Sequence, residues 1–317
     1  MLKRIIKVAC FYKNIKKKEY FPLIFATFAP IIIFVNNGGN THNPTKNHST
    51  VKKVLYINQE MTPYVDESEM SILGTNVARA IQEKGGCEVR SFMPKWGHVN
   101  ERRGQLHEVI RLSRIMIIID ETDHPLIIKV ASIPQTRIQV YFIDNDDFFA
   151  KRKMAFDENG KEFEDNAERA VFFARGVLET VKKLRWTPDI IHCQGWMSSL
   201  VPMYIKRSFS EDPAFKEAKV VTSLFKNELH NGIAPEFKKT IEFKGVRQSI
   251  LKPYSKEFNF MELEKLAMDY SDAIIVAGKD VDAELIEHAK QTEKPLLDTP
   301  VDEANIADVY MKFYDSL

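Results

Sequence analysis

The sequence is poor in cysteine, and its charges nearly cancel. Its 317 residues include three cysteines, 45 Lys and Arg, and 44 Asp and Glu, for a formal net charge of +1. Cys10, Cys87 and Cys193 lie far apart and form no C-x-x-C pair, so neither a disulfide framework nor a zinc site is predicted. A reducing compartment is the simpler interpretation. A balanced charge gives no reason to expect nucleic acid as a partner. We therefore expect no metal, no cofactor and no nucleic acid.

Long apolar runs are also scarce. The one run near the N-terminus, residues 21–35, is about fifteen residues long and contains two prolines, whereas about 20 residues are needed to span a bilayer. It follows a basic segment, 3–18, and precedes an Asn/Gly/Thr/His-rich stretch, 36–50. An uncleaved anchor, a targeting peptide and an unstructured extension remain open for this region. We expect a cytoplasmic protein that contacts a membrane only if 21–35 acts as an anchor, with an export signal as the alternative.

Strand and helix patterns alternate from Val51 onward. Helical spacing of apolar residues is found over 68–84, 166–184, 198–206, 261–270 and 280–290. Short β-rich runs occupy 54–57, 87–93, 115–119, 126–130, 138–143, 190–192, 219–224 and 273–277. This alternation predicts an α/β fold with a doubly wound, mostly parallel sheet. We expect residues 1–50 to be an extension and linker, and residues 51–317 to form the domain.

The loops after the predicted strands are where a ligand is expected. In open α/β sheets, ligands bind outside the carboxyl ends of the strands. The relevant loops here are 58–69, 144–149, 192–198 and 225–232. These are also the loops whose residues carry a family resemblance.

Several short motifs occur in order over residues 53–290. They are Pro63-Tyr64 before a helix, Met93-Pro94, 140–144 followed by Phe148-Phe149, Gly160-x-x-x-x-Asp165-Asn166-x-x-Arg169-x-x-Phe172-Phe173, Pro188-Asp189-Ile190-Ile191-His192-x-x-x-Trp196, 219–224 and 272–277. Because these motifs occur in this order and spacing, the chain resembles the N-terminal domain of bacterial glycogen/starch synthases. This is the starch synthase catalytic domain, and the enzymes are GT-B glycosyltransferases.

The resemblance implies a reaction and separate roles for two domains. Family enzymes transfer glucose from ADP-glucose to an α-1,4-glucan with retention of configuration. The N-terminal domain holds the acceptor, and a second domain supplies most of the nucleotide site. Only forty residues follow Ala277, whereas a domain usually needs at least about 50 and often more than 100 residues. We therefore expect no second Rossmann domain, a glucan or maltooligosaccharide as partner, and a separate C-terminal synthase half as a candidate partner.

The donor loop departs from the family pattern. Where the family has K-x-G-G-L, this sequence has Asp66 at the lysine position and Ser68 and Glu69 at the glycine positions. Together with Glu67, these residues place three carboxylates where a diphosphate is expected, and like charges repel. The same residues also suit a well-capped helix. Donor binding of the family type is therefore disfavoured.

The candidate sugar-binding residues come from the same motifs. In the family motif D-x-x-H-x-H-D-W, His192 and Trp196 remain, while the second histidine is Gln194 and the aspartate is Gly195. Glutamine does not titrate, so no family catalytic residue is intact, although Gln194 can still hydrogen-bond a sugar hydroxyl. His192 as a structural histidine and Trp196 as a packing residue are the competing interpretations.

In a second group of candidates the residue types are the same as in the family. These are Asp165, Asn166 and Arg169, and Tyr64 in the first loop is a further candidate. The resemblance places the aspartate near the glucosyl group. The alternative is a helix cap by Asp165, paired with Arg169 one turn later.

Three functions compete at this point. The first is a family glucosyltransferase that cannot catalyse alone and needs a separate C-terminal half. The second is a non-catalytic glucan-binding or regulatory module. The third is a protein that binds another metabolite with the same fold, because fold does not fix function.

Overall fold

The computed structural model describes residues 51–298, 301 and 303–317. The predictions for 1–50, including the apolar run 21–35, lie outside the described residues. Within the described part, no helix is both long enough and apolar enough to cross a membrane.

One sheet runs through the described domain. Its strands are β1 (Lys52–Asn58), β2 (Cys87–Pro94), β3 (His107–Glu108), β4 (Ile115–Ile119), β5 (Thr122–Ser132), β6 (Gln139–Asp144), β7 (Ile190–Gln194), β8 (Lys219–Leu224), β9 (Ala273–Val276) and β10 (Leu296–Asp298). Their order is β10-β9-β8-β7-β1-β2-β6-β5-β3, with β4 also paired to β5. All pairings except those of β5 are parallel. The predicted fold class is confirmed.

The order of strands reverses at β1. Strands β2 to β6 lie on one side of β1. The chain then returns to β1, and β7, β8, β9 and β10 follow on its other side. Val54 pairs with Val89 of β2 and with Ile190 of β7. Such a reversal leaves a crevice at the carboxyl ends of the two adjacent strands, which is where doubly wound proteins bind ligands.

Seven α-helices are found in the described residues: α1 (Glu69–Lys84), α2 (Asn166–Leu184), α3 (Val201–Ser208), α4 (Phe237–Thr240), α5 (Phe260–Tyr270), α6 (Ala283–Gln291) and α7 (Ile306–Asp315). α1 begins at a capping box in which Ser68 Oγ accepts from the Ser71 amide and Ser71 Oγ accepts from the Ser68 amide. The well-capped helix that the sequence suits at this segment is therefore present. α1 ends at Gly85, whose φ of 84° suits glycine.

The C-terminal segment contributes a strand as well as helices. Besides α6 and α7 it supplies β10, which pairs with β9 at the edge of the sheet. α7 packs on α1, and its Tyr310 and Tyr314 side chains are buried. The short strand was missed because the three residues of Leu296–Asp298 are too few to show a periodic pattern.

Candidate functional site

A cavity of about 320 Å³ lies at the crevice where the strand order reverses. Its walls come from the ends of β1, β7 and β8, the first turn of α1, one residue of α5 and the segment 154–156. The lining residues are Gln59, Glu60, Ser68, Glu69, Met70, Met154, Ala155, Phe156, Gly195, Trp196, Phe225, Lys226, Asn227, Glu228, Leu229 and Glu264. The volume is at the lower end of the range for small-molecule sites.

A tight turn at Gly195 forms part of the wall. Its φ is 80°, and a Cβ on this residue would lie 2.6 Å from Gln59 Oε1 and 2.9 Å from Met70 Sδ. Because the backbone conformation and the space both favour glycine, the aspartate of the family motif does not fit here. The polar side chain of the family motif is therefore absent at this turn, and the end of β7 lies close to the loop after β1 instead.

The cavity is acidic. Four carboxylates line it, those of Glu60, Glu69, Glu228 and Glu264, and the one cationic side chain among the described lining residues is Lys226, which is exposed. The Glu69 carboxylate accepts a hydrogen bond from the backbone amide of Lys279 at 3.2 Å. A phosphate at this position would therefore meet more negative than positive charge.

Glu60 is buried at the base of the α1 cap. Its Oε1 accepts a hydrogen bond from Ser68 Oγ at 2.5 Å. Burial raises the pKa of the Glu60 carboxyl, the nearby Glu228 raises it further, and the bond from Ser68 partly offsets both effects. Ser68 thus links the start of α1 to the carboxylate that follows β1.

Glu264 is the most perturbed acid of the cavity. Its side chain is 7% exposed, and Oε2 has no hydrogen-bond partner within the described ranges. Burial raises the pKa of Glu264 to about 8, with a smaller contribution from Asp282. At neutral pH this group is therefore largely a neutral acid that can donate a hydrogen bond.

Aromatic side chains form the apolar part of the wall. Trp196, Phe156 and Phe225 all line the cavity. The Trp196 ring packs edge-on against Phe260 at a centroid distance of 5.3 Å, so it is both a packing residue and a cavity surface. Of the predicted sugar-binding residues, Trp196 is the one that reaches this cavity.

His192 lies on β7, and its side chain is fully buried. Its Nδ1 is 2.7 Å from Tyr314 Oη and its Nε2 is 2.5 Å from Ser223 Oγ. Tyr314 Oη is also 3.0 Å from Tyr56 Oη, which completes a buried chain of four polar side chains. Burial lowers the pKa of His192 to about 3, so the ring is neutral. The chain ties β1, β7 and β8 to the last helix.

Gln194 is also buried and is not among the lining residues. It pairs with Asn58 of β1, and neither side-chain amide has a hydrogen-bond partner within the described part. Gly74 of α1 lies against both side chains, because a Cβ there would be 2.9 Å from Gln194 Oε1 and 3.6 Å from Asn58 Cγ. The Gln194 amide thus lies beneath α1 rather than in the open crevice.

Arg169 and Asn166 hold the segment that forms one cavity wall. The Arg169 guanidinium is fully buried and donates to the carbonyls of Phe148, Lys153 and Met154 and to Asn166 Oδ1. Asn166 Nδ2 donates to the Ala155 carbonyl at 3.0 Å. Burial lowers the pKa of Arg169 to about 9. The two residues therefore act on the cavity through the position of 154–156.

The alternative interpretation, in which Asp165 caps the helix and pairs with Arg169, is wrong. Asp165 makes no side-chain cap on α2 but forms a two-pronged ion pair with Arg152, with both N–O distances 2.6 Å. Arg152 is available because the preceding loop folds back over the start of the helix. The Arg169 side chain is instead fully buried and bonds to backbone carbonyls.

Tyr64, Asp66 and Glu67 line a different cleft, of about 800 Å³, together with polar residues of the segments 98–105 and 132–136. The prediction of three donor-loop carboxylates at one place is therefore wrong for Asp66 and Glu67, and only Glu69 reaches the crevice. The Tyr64 hydroxyl lacks a hydrogen-bond partner in the described part, its ring packs edge-on against Phe142, and burial raises its pKa to about 12.

Three of the four acids that line the cavity were missed in the sequence. Glu60 and Glu228 follow β1 and β8 and could have been found from the rule that ligands bind at strand ends. Glu264 lies within an otherwise apolar helical stripe, where an isolated acid is a signal in itself. The described residues hold no group of three His, Cys, Asp or Glu side chains suited to a metal ion.

Comparison with known proteins gives a consistent result. The family profile described as "Starch synthase catalytic domain" matches residues 53–297. The chain is similar to the glycogen synthases of Chlorobium phaeobacteroides and Chlorobaculum tepidum, each 37% identical over 184 residues, or 58% of this chain and 37% of the relative. The chain thus spans little more than a third of the curated relatives it matches.

A solved structure shows the same fold. The catalytic domain of starch synthase IV from Arabidopsis thaliana, bound to ADP and acarbose, superposes with a TM-score of 0.61 at 17% identity. The match covers 80% of this chain and 52% of that chain. At this identity the likeness concerns the fold alone.

Proposed function

The chain belongs to the family of starch synthase catalytic domains, and from that premise we propose that it takes part in glucosyl transfer to an α-1,4-glucan as the half that holds the acceptor. The phosphates of the sugar nucleotide are bound by groups outside the described domain. The domain alone does not catalyse the transfer. We place the reaction in the cytoplasm, because Cys87 and Cys193 are both free thiols.

The charge of the cavity carries this proposal. A transferase needs positive groups or backbone amides at the phosphates, where charge develops during the reaction. Of the four acids that line the cavity, Glu264 is largely neutral at neutral pH, and Glu60, Glu69 and Glu228 remain against the exposed Lys226. Two unit charges at about 4 Å repel by about 1 kcal/mol in water and by about 4 kcal/mol at the effective dielectric of a protein surface. A diphosphate at this crevice therefore needs cations from elsewhere.

The cleft beside Tyr64 supports the acceptor role. Its volume of about 800 Å³ is in the upper part of the range for small-molecule sites, and its wall includes Asn100, Gln105, Gln135 and Thr136. Amide and hydroxyl side chains both donate and accept, as sugar hydroxyls require. Tyr64 also lines the cleft, although its hydroxyl is buried.

Two assays on the full chain test the proposal. Co-sedimentation with glycogen measures acceptor binding, and transfer from radiolabelled ADP-glucose to glycogen measures catalysis, with and without the C-terminal half of a related glycogen synthase. We expect sedimentation with glycogen, no transfer by the chain alone, and transfer on addition of the second half. Tyr64→Ala should weaken sedimentation, whereas the control Tyr270→Ala, remote from the cleft, should not.

The outcomes separate the candidate functions. Transfer by the chain alone would refute the assignment of the phosphate site to other groups. Glycogen binding without transfer in the presence of the second half would make the chain a glucan-binding module. Absence of glycogen binding would refute the acceptor role.

A further inference from the structure

The outer face of the β4–β5 hairpin is apolar and exposed. Five large apolar side chains are exposed among the described residues, and three of them, Ile110, Met116 and Ile118, lie on β4 or shortly before it. Met116 and Ile118 are 52% and 55% exposed, whereas Ile117 and Ile119, which alternate with them along the strand, are buried. Met116 and Ile118 therefore share the outer face. Scattered apolar residues are normal on a surface, but a group of them marks a site of interaction.

The hairpin is held in place by contacts with two helices. Arg175 Nη1 donates a hydrogen bond to the Ile118 carbonyl at 2.6 Å, which ties β4 to α2. At the turn, Asp120 forms an ion pair of 2.6 Å with Lys239 of α4. In the described part of the chain, β4 pairs with β5 and with no other strand. Because these contacts fix the hairpin, its outer face is a preformed surface that needs little ordering on binding.

Exposed charges of opposite sign flank the apolar face. Arg111 and Arg114 precede β4, whereas Glu121 and Asp123 belong to the turn and to the start of β5. None of these four side chains forms an ion pair within the described residues. Asp123 lies directly across from Ile118 in the β4–β5 ladder, and both are exposed, so the acid and the apolar residue share one face. The hairpin is therefore basic at one end and acidic at the other.

This polarity matches the face to a second copy of itself. In a two-fold dimer with antiparallel β4 strands, the basic end of each copy lies against the acidic end of the other, and the apolar centres meet. A parallel arrangement would instead bring like charges together. A partner of uniform charge would be repelled by one end of the face. A second copy is therefore the occupant that satisfies both ends at once.

We propose that the chain forms a symmetric dimer through the outer faces of two β4–β5 hairpins, with Met116 and Ile118 at the centre. Arg114 of each copy then lies near Glu121 and Asp123 of the other. The apolar centre is small, so we expect a dissociation constant of about micromolar order rather than a permanent assembly. None of these residues lines the cleft of about 800 Å³ or the acidic cavity, so the inference does not depend on the proposed function.

Sedimentation velocity of the full chain tests the proposal over about a hundredfold range of protein concentration around the micromolar level. We expect monomers to shift to dimers as the concentration rises. Added salt should weaken the dimer, because the charge pairs at its rim are exposed and are therefore screened. A chain that stays monomeric throughout the range, or that assembles without stopping at dimers, would overturn the proposal.

Matched variants locate the interface. Ile118→Lys should weaken dimerisation at least about tenfold, whereas Ile72→Lys, at an exposed apolar residue of α1, should not change it. Arg114→Glu and Asp123→Arg should each weaken it at least about threefold, and their combination should recover most of that loss, because the exchanged charges again face each other. Thermal melting shows whether each variant is folded. A dimer that persists in folded Ile118→Lys, or additive losses in the combined variant, would refute the assignment.

Discussion

The buried acid Glu264 makes the stability of the domain depend on pH. Its folded-state pKa is about 8, compared with an ordinary value of 4.5, first because of burial and then because of Asp282. Between these two values the folded protein keeps a proton that the unfolded chain releases. The free energy of unfolding therefore falls as the pH rises through this window, and the loss is complete above about pH 8.

The size of the effect follows from the shift. Each pKa unit corresponds to about 1.4 kcal/mol, so a carboxyl raised from 4.5 to about 8 costs up to about 5 kcal/mol once it is ionised. The side chain is 7% exposed, so screening by water removes little of this cost. Glu264→Gln has the same shape and no charge to bury. It should match the parent near pH 5 and be more stable than the parent by up to about 5 kcal/mol near pH 9.

Urea unfolding from about pH 5 to about pH 9 measures the effect, with Glu257→Gln as the exposed control. Other acids of the cavity, including Glu60, contribute their own slopes, but the difference between the parent and Glu264→Gln isolates one group. Parallel curves for the two proteins across the whole range would refute the burial argument. So would a variant that is less stable than the parent at high pH.

Three further substitutions test the packing around the site by urea unfolding. Tyr314→Phe removes the hydroxyl between Tyr56 and His192, so it should cost about 1–3 kcal/mol; a loss under about 0.5 kcal/mol would contradict the buried chain. Arg169→Met leaves several loop carbonyls without donors and should cost at least about 3 kcal/mol, and an unchanged midpoint would contradict its role. Gly195→Ala meets Gln59 and a positive φ, so a loss of at least about 1 kcal/mol is expected, and a neutral result would mean that the turn relaxes.

The fold was predictable where periodic patterns are long. The helix predicted over 166–184 is observed as Asn166–Leu184, and the strand predicted over 219–224 is observed as Lys219–Leu224. The helix repeats apolar residues over 19 positions, whereas the strand is recognised by its short length and its β-branched residues. The parallel sheet followed from the alternation of the two patterns.

The site was less predictable because its contacts join residues distant in sequence. The sequence left two interpretations open for Arg169, sugar contact or pairing with Asp165, but its partners include carbonyls between Phe148 and Met154, which only the folded loop brings to it. Glu264 and Glu60 lie about two hundred residues apart in sequence and line the same cavity only in the folded domain. No local motif encodes such a meeting, although an acid in an apolar stripe does signal it.

The central claim is that the described domain does not hold a sugar diphosphate by itself. Titration of the full chain with ADP-glucose, followed by calorimetry at low salt where electrostatic attraction is strongest, tests it most directly. We predict no saturable binding by the chain alone. Tight, saturable binding that weakens when Lys226 is replaced by Ala would contradict the claim, because it would place the phosphates at the acidic crevice.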